Sequence, residues 1–244
     1  MKSSVTRLDR FISQRSAFKQ ADTRLLIAQK RILLDGQVAN SIQQQVTQFT
    51  HVLLDGQCLQ QKQALYLMLH KPKGVVCATQ DHQHPTVLDL LEHPHKDQLH
   101  IVGRLDLNTT GLVLLTNDGT WSRTISLPQT GLAKTYEVTL AQPVTAEYVE
   151  VFRQGIYFAY EGITTQPAEL EIDSAHTARL TLTEGKYHQV KRMFGHCQNE
   201  VLALHRASVG ALTLAGLAVG HSRELTEAEL RTLALQTGAV HSGW

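Results

Sequence analysis

Apolar positions in this chain follow two different rhythms, and the change between them divides it. Near the start, Leu8, Phe11 and Ile12 recur at helical spacing and predict a short amphipathic helix over residues 7–14. A second helix is expected over residues 22–29, with Leu25 and Leu26 facing inward. Residues 32–38 then read as a strand interrupted by an Asp-Gly turn. The string LLDGQ returns at residues 53–57, which reads as a second turn of the same kind and not as a duplicated domain, because the flanks differ. Residues 58–64 are polar and unpatterned, so a linker is placed there.

Beyond the linker the pattern is mostly that of strands. Strands are expected over residues 65–69, 75–78, 134–140, 168–172, 178–182, 201–206 and 212–214. In the strand at 134–140, Tyr136, Val138 and Leu140 share one face. Helices are expected at the start of 89–91, over 121–125, and over 144–154 with Thr145 as N-cap and Gly155 past the end. Residues 184–194 carry a narrow apolar stripe of Val190, Met193, Phe194 and Cys197, which Lys191 borders and from which Arg192 points away. Thr226 to Glu229 form a capping box opening a last helix over 227–235, and the chain from Thr237 onward reads as a frayed tail.

Composition adds bounds. A chain of 244 residues with 42% hydrophobic and 18% charged residues is long enough for two domains with proper cores. No apolar run approaches a membrane span, and the first residues lack a signal-peptide core, so a cytoplasmic protein is expected. Three widely spaced cysteines argue against a disulfide frame or a zinc site. The thirteen histidines form no metalloprotease-like pair and read as scattered surface residues. Net charge is +1, yet residues 1–60 hold eight Lys/Arg against four Asp, whereas the remainder holds fifteen Lys/Arg against eighteen Asp/Glu. A basic module on a mildly acidic body suits a nucleic-acid-gripping appendage.

Candidate chemistry centres on residues 103–119, GRLDLNTTGLVLLTNDG. An apolar strand end at residues 100–102 leads into a polar loop, and a second apolar run, 112–115, leads out to a turn at Asn117-Asp118-Gly119. The loop presents one carboxylate, Asp106, with Arg104 two residues before it. On residue types alone, such an Asp is a turn-former or a cap. The stretch resembles the signature segment of bacterial pseudouridine synthases of the RsuA type, in which the Asp of GRLD is catalytic. Further segments resemble that family in its order: HKPKGVVCAT at 70–79, K-x-Y at 134–136, EGKYHQVKRMF at 184–194 and VLALHRASVGALTL at 201–214. Residues 4–60, with RLDRFI at their start, resemble the S4 RNA-binding fold, except that Gln29, Lys30 and Arg31 stand where a glycine is usual; the turn must then avoid positive φ or accept strain.

The resemblance implies an α+β protein with a small S4-like domain over 1–61 and a pseudouridine synthase catalytic domain over 62–244, built on a mixed, largely antiparallel sheet. It implies isomerisation of uridine in ribosomal RNA with no cofactor and no metal, carried out by a monomer. Asp106 would act as nucleophile toward sugar or base, or as the base removing a ribose proton. Tyr136 would stack on the uracil, and Lys191 would pair with Asp106. A carboxylate desolvated in a closed pocket favours its protonated form, and a cation beside it reverses that. Arg104 would wedge into the vacated stack or hold a phosphate. Lys71, Lys73 and Arg192 are phosphate candidates in the catalytic domain, as are Arg24, Lys30 and Arg31 in the first. Within the family, the likeness is nearest to members acting on uridine 516 of 16S rRNA. Alternatives are a 23S rRNA enzyme of the same family and a non-catalytic RNA-binding assembly protein. A glycoside-cleaving pair, Asp106 with Asp118, is a third reading, in which Asp118 instead belongs to its turn.

Overall fold

The structure, a computed structural model, describes residues 5–238; the part of the expected tail beyond Gly238 lies outside the described residues. The chain divides into two compact units, Met1–Ala64 with Asp118–Thr120, and Leu65–Asn117 with Trp121–Trp244.

In the first unit, β1 (Thr6–Arg7) leads into helix α1 (Leu8–Arg15), and α2 (Thr23–Ala28) follows. Strands β2 (Ile32–Leu34), β3 (Gln37–Val38), β5 (Val52–Leu54) and β6 (Gln57–Gln60) form an antiparallel sheet in the order β3-β2-β5-β6, while β4 (Gln45–Val46) pairs with β1. Leu8, Phe11, Ile12, Leu26, Ile32 and Val52 fill its core. Leu25, expected inside, is 60% exposed; a six-residue helix buries one stripe, and Thr23 and Leu26 occupy it. The two LLDGQ strings make equivalent hairpins. Asp35-Gly36 (φ 49° and 79°) and Asp55-Gly56 (φ 53° and 78°) both take the paired positive angles of a type I′ turn. The second string continues into β6, so strand pairing occupies part of the expected linker. At the turn lacking its glycine, Lys30 adopts φ 57°: the strained solution is the one taken.

The second unit is built on a nine-stranded sheet in the order β13-β14-β10-β15-β9-β7-β17. Its strands are β7 (Tyr66–Lys71), β8 (His100–Val102), β9 (Thr110–Thr116), β10 (Lys134–Leu140), β13 (Glu169–Ser174), β14 (Thr177–Leu182), β15 (Val201–Val209), β16 (Leu212–Thr213) and β17 (Ser222–Glu224). A separate hairpin pairs β11 (Tyr157–Phe158) with β12 (Ile163–Thr164). Helices α3 (Gly119–Ser126), α4 (Ala146–Gln154), α5 (Gln189–His196) and α6 (Glu227–Thr237) complete it. The near-continuous apolar runs of β7 and β9 are the mark of central strands buried on both faces. Leu67, Leu69, Val113, Leu115, Tyr136, Val138, Leu180 and Phe194 belong to one core.

Every pairing in this sheet is antiparallel except β15 with β9, where His205 and Arg206 lie opposite Thr110 and Gly111. Gly111 sits at φ 111°, and a Cβ there would lie 2.3 Å from the Arg206 carbonyl oxygen. Only glycine lets these central strands approach so closely. Three expectations change. Residues 75–78 form no strand and contribute a single bridge, Val76 to Thr86. The helix expected at 89–91 is a turn, because Thr86 and Asp89 bond each other reciprocally. Asn117-Asp118-Gly119 is not a positive-φ turn: the Asp118 carboxylate accepts from Thr120 N–H and caps the start of α3. Asn117 Oδ1 accepts instead from Leu65 N–H at 2.9 Å, pinning the entry to β7. Among the described residues, no helix is long and apolar enough to cross a membrane.

Candidate active site

The loop from Gly103 to Thr109 connects β8 to β9 and carries Asp106 on the wall of a cavity of about 600 Å³. Tyr136 of β10, Lys191 of α5 and Arg104 line the same cavity, so residues far apart in the chain meet there. Lys191 Nζ lies 3.1 Å from Asp106 Oδ2. The opposite oxygen, Oδ1, lies 3.3 Å from His188 Nε2. The Asp106 side chain keeps 31% exposure, so the cavity is more open than a fully desolvated pocket. Tyr136 is buried, on the inward face of its strand. Arg104 is exposed at the rim.

Two buried cations hold the backbone of this loop. Lys71, fully buried, donates to the carbonyls of Pro72, Leu107 and Thr109 at 3.0, 3.2 and 2.7 Å. Burial pulls its ammonium below the usual lysine range, and the charges of Cys77 and Asp106 act the other way. Arg206, also buried, donates to Gly103 O and Leu112 O, both at 2.7 Å. Gly74 N–H donates to Leu107 O and Leu105 N–H to Cys77 Sγ, while burial pushes the Cys77 thiol up. Asp106 thus hangs from a loop tied at Gly103, Leu105, Leu107 and Thr109. Lys134, two residues before Tyr136, lines the cavity as well; burial, and then the neighbouring Arg206, lowers its pKa.

Several expected RNA contacts are placed elsewhere. Lys71 is committed to the loop carbonyls and is enclosed, which leaves it no route to a phosphate. Arg192 pairs with Glu161 at 2.6 Å and lies 3.7 Å over the Phe158 ring, so it fastens the β11–β12 hairpin to α5. Arg31 pairs with Asp55 at 2.6 Å and covers Phe18, closing its own unit. Lys73 is exposed but lines a second, smaller cavity with Asn108, Arg179 and His205, one whose walls do not include Asp106. Arg24 and Lys30 are exposed on the first unit.

The residues missed from sequence were His188, Lys134, Lys71 in its actual role, and Arg206. His188 lay inside a singled-out motif, three positions before Lys191, but helical spacing does not bring the two together, because His188 precedes α5 in a left-handed conformation. Arg206 had no signal, because its partners lie about a hundred residues upstream.

A carboxylate flanked by a lysine and a histidine, beside an inward tyrosine on the wall of a cavity of about 600 Å³, makes a site for nucleophilic or proton-transfer chemistry. The sequence profile of the RNA pseudouridylate synthases matches residues 65–196, and the chain belongs to that family. It is an isomerase acting on RNA. The ribosomal small subunit pseudouridine synthase A of Pseudomonas aeruginosa is 50% identical over 209 residues, covering 85% of this chain and 91% of that protein. Its namesake in Escherichia coli K12 is 44% identical over 229 residues, covering 93% and 99%. A pseudouridylate synthase of known crystal structure aligns over 93% of this chain and 99% of its own, with a TM-score of 0.68 and 38% identity.

Proposed function

We propose that the protein converts one uridine of ribosomal RNA, uridine 516 of the 16S molecule, to pseudouridine. The observation that carries the reading is the Asp106 carboxylate held between Lys191 and His188 on the wall of a cavity that also presents Tyr136. The reaction breaks the bond from ribose to N1, turns the uracil and joins C5 to the ribose, the proton that C5 gives up being matched by one gained at N1. Nothing is oxidised and nothing leaves, so it proceeds without a cofactor. The uridine must leave its stack, since both the base face and C1′ are otherwise covered. Tyr136 then stacks on the uracil, and Arg104 at the rim fills the vacated place or holds a phosphate. Asp106 attacks sugar or base, or takes a ribose proton, and Lys191 pairs with it.

The first unit acts as an S4-like RNA grip. Its two-helix start, its hairpins and its excess of eight Lys/Arg over four Asp support this, with Arg24 and Lys30 as the exposed phosphate contacts. The protein works as a single chain in the cytoplasm. The small-subunit target is supported by the names and coverage of the relatives. Offering transcribed 16S and 23S fragments in competition tests it: pseudouridine is expected in 16S RNA alone, and product in 23S RNA would move the target to the large subunit.

A further inference from the structure

We propose that His188 is a positioning residue for the isomerisation, holding the second oxygen of Asp106 while Lys191 holds the first. The inference rests on Asp106 being the reacting carboxylate. The distances are matched: 3.3 Å from Nε2 to Oδ1 and 3.1 Å from Nζ to Oδ2. One partner leaves a carboxylate free to swing about its Cβ–Cγ bond. Two partners on opposite oxygens fix its plane, and each oxygen keeps a lone pair for the reaction.

The chain goes to some length to place this ring. His188 stands at φ 48° and ψ 31°, the left-handed region that a non-glycine residue seldom occupies. Such conformations persist where the surroundings impose them, and they cluster at functional sites. Here the surroundings do impose it. Buried Glu184 accepts from Gln166 N–H at 3.0 Å and from the Gln189 side chain at 2.6 Å, and Gln189 in turn accepts from Lys186 N–H at 2.8 Å. The turn before α5 is thereby closed on itself, and His188 O starts the helix by accepting from Arg192 N–H. A helical or extended φ at 188 would send the ring in another direction. Tyr187 then covers one imidazole face, with ring centroids 3.8 Å apart and planes inclined by 21°. Tyr187 is itself 76% exposed, so this stack orients the histidine and does little for the core.

Two substitutions separate a positioning role from a structural or RNA-contact role. The amide nitrogen of glutamine can occupy the place of Nε2, whereas that of asparagine reaches only the place of Nδ1. Asparagine also tolerates positive φ, so the backbone is kept. With saturating enzyme and a 16S transcript, single-turnover pseudouridine formation by His188→Asn is expected to slow about 10–100-fold, as for a reacting group displaced by an ångström. His188→Gln is expected to recover most of the rate, and RNA affinity of both should stay within about twofold of wild type. A His188→Asn rate equal to wild type overturns the inference. So does a change in affinity alone, or an equal loss in both variants at unchanged melting temperature. Asp106→Asn run in parallel tells the two ideas apart: if it retains activity, the reading of Asp106 fails, whereas an inactive Asp106→Asn beside a fully active His188→Asn removes only the role of His188.

Discussion

At the residue scale, the site is an acid whose charged neighbours are basic. Lys191 and His188 touch the carboxylate, and Lys71 and Arg206 sit behind it with their charges committed to backbone carbonyls. Lys71 shows why charge alone is a poor guide to an RNA contact. Next to Pro72 and Gly74 it resembles a solvated basic bend in sequence, yet its three partners lie on both sides of Asp106, at Leu107 and Thr109 as well as Pro72. Replacing it by methionine keeps the volume and removes the donor from three carbonyls. Leaving buried acceptors unpaired costs about 1–3 kcal/mol each, offset in part by no longer burying a charge. Lys71→Met is therefore expected to lose about 2–4 kcal/mol in urea unfolding, with a slower reaction and unchanged RNA affinity. An unchanged urea midpoint would contradict the clamp. None of this was legible in sequence, because the clamp spans thirty-six to thirty-eight residues. Asp106 and Tyr136 were both singled out through motifs of the resembled family, not by residue type; alternation along β10 disclosed only that Tyr136 faces inward, which the structure shows.

At the element scale, local chemistry read well where the determinants were local. The capping box at Thr226 and Glu229 was visible in four residues and opens α6 as expected, with Thr226 Oγ1 accepting from Glu229 N–H. Arg223, outside that window, adds what sequence did not disclose: its guanidinium bonds to Glu229 at 2.6 Å and, with the Thr226 N–H and hydroxyl, holds this carboxyl at about 2. A carboxylate depressed from 4.5 to about 2 stabilises the fold fully above pH 4.5 and loses that contribution as pH falls toward 2. Glu229→Gln is expected to cost about 1–2 kcal/mol at pH 7. The difference from wild type should shrink steadily between pH 4.5 and 2 in urea titrations; a constant difference across that range would contradict it. The strand expected at 75–78 failed because its backbone bonds only across a single bridge to residues 85–87, and the helix at 89–91 stopped at a turn closed by Thr86 and Asp89. The LLDGQ strings succeeded because Asp-Gly fixes a two-residue turn whatever surrounds it.

At the scale of the whole molecule, the chain divides into two units, each with its own core, and the proposed chemistry and the proposed RNA grip fall one to each. The second unit alone holds the Asp106 cavity and lies largely within the family match. The first carries the excess of positive charge. Removing residues 1–61 is expected to weaken binding to 16S RNA and to flatten its dependence on salt, since each lost phosphate contact removes about 0.7–0.9 from the log–log slope. An unchanged slope would take the first unit out of RNA recognition. The division was foreshadowed by the polar break near residue 60, although β6 runs into it. In the proposed reaction it is the Asp106 carboxylate that performs the isomerisation. The most direct test is pseudouridine formation, mapped at nucleotide resolution, on 16S RNA free and in partly assembled small subunits, with Asp106→Asn beside wild type. One modified uridine is expected with wild type and none with Asp106→Asn, which should still fold and bind. Product from Asp106→Asn at a rate near wild type would contradict that role.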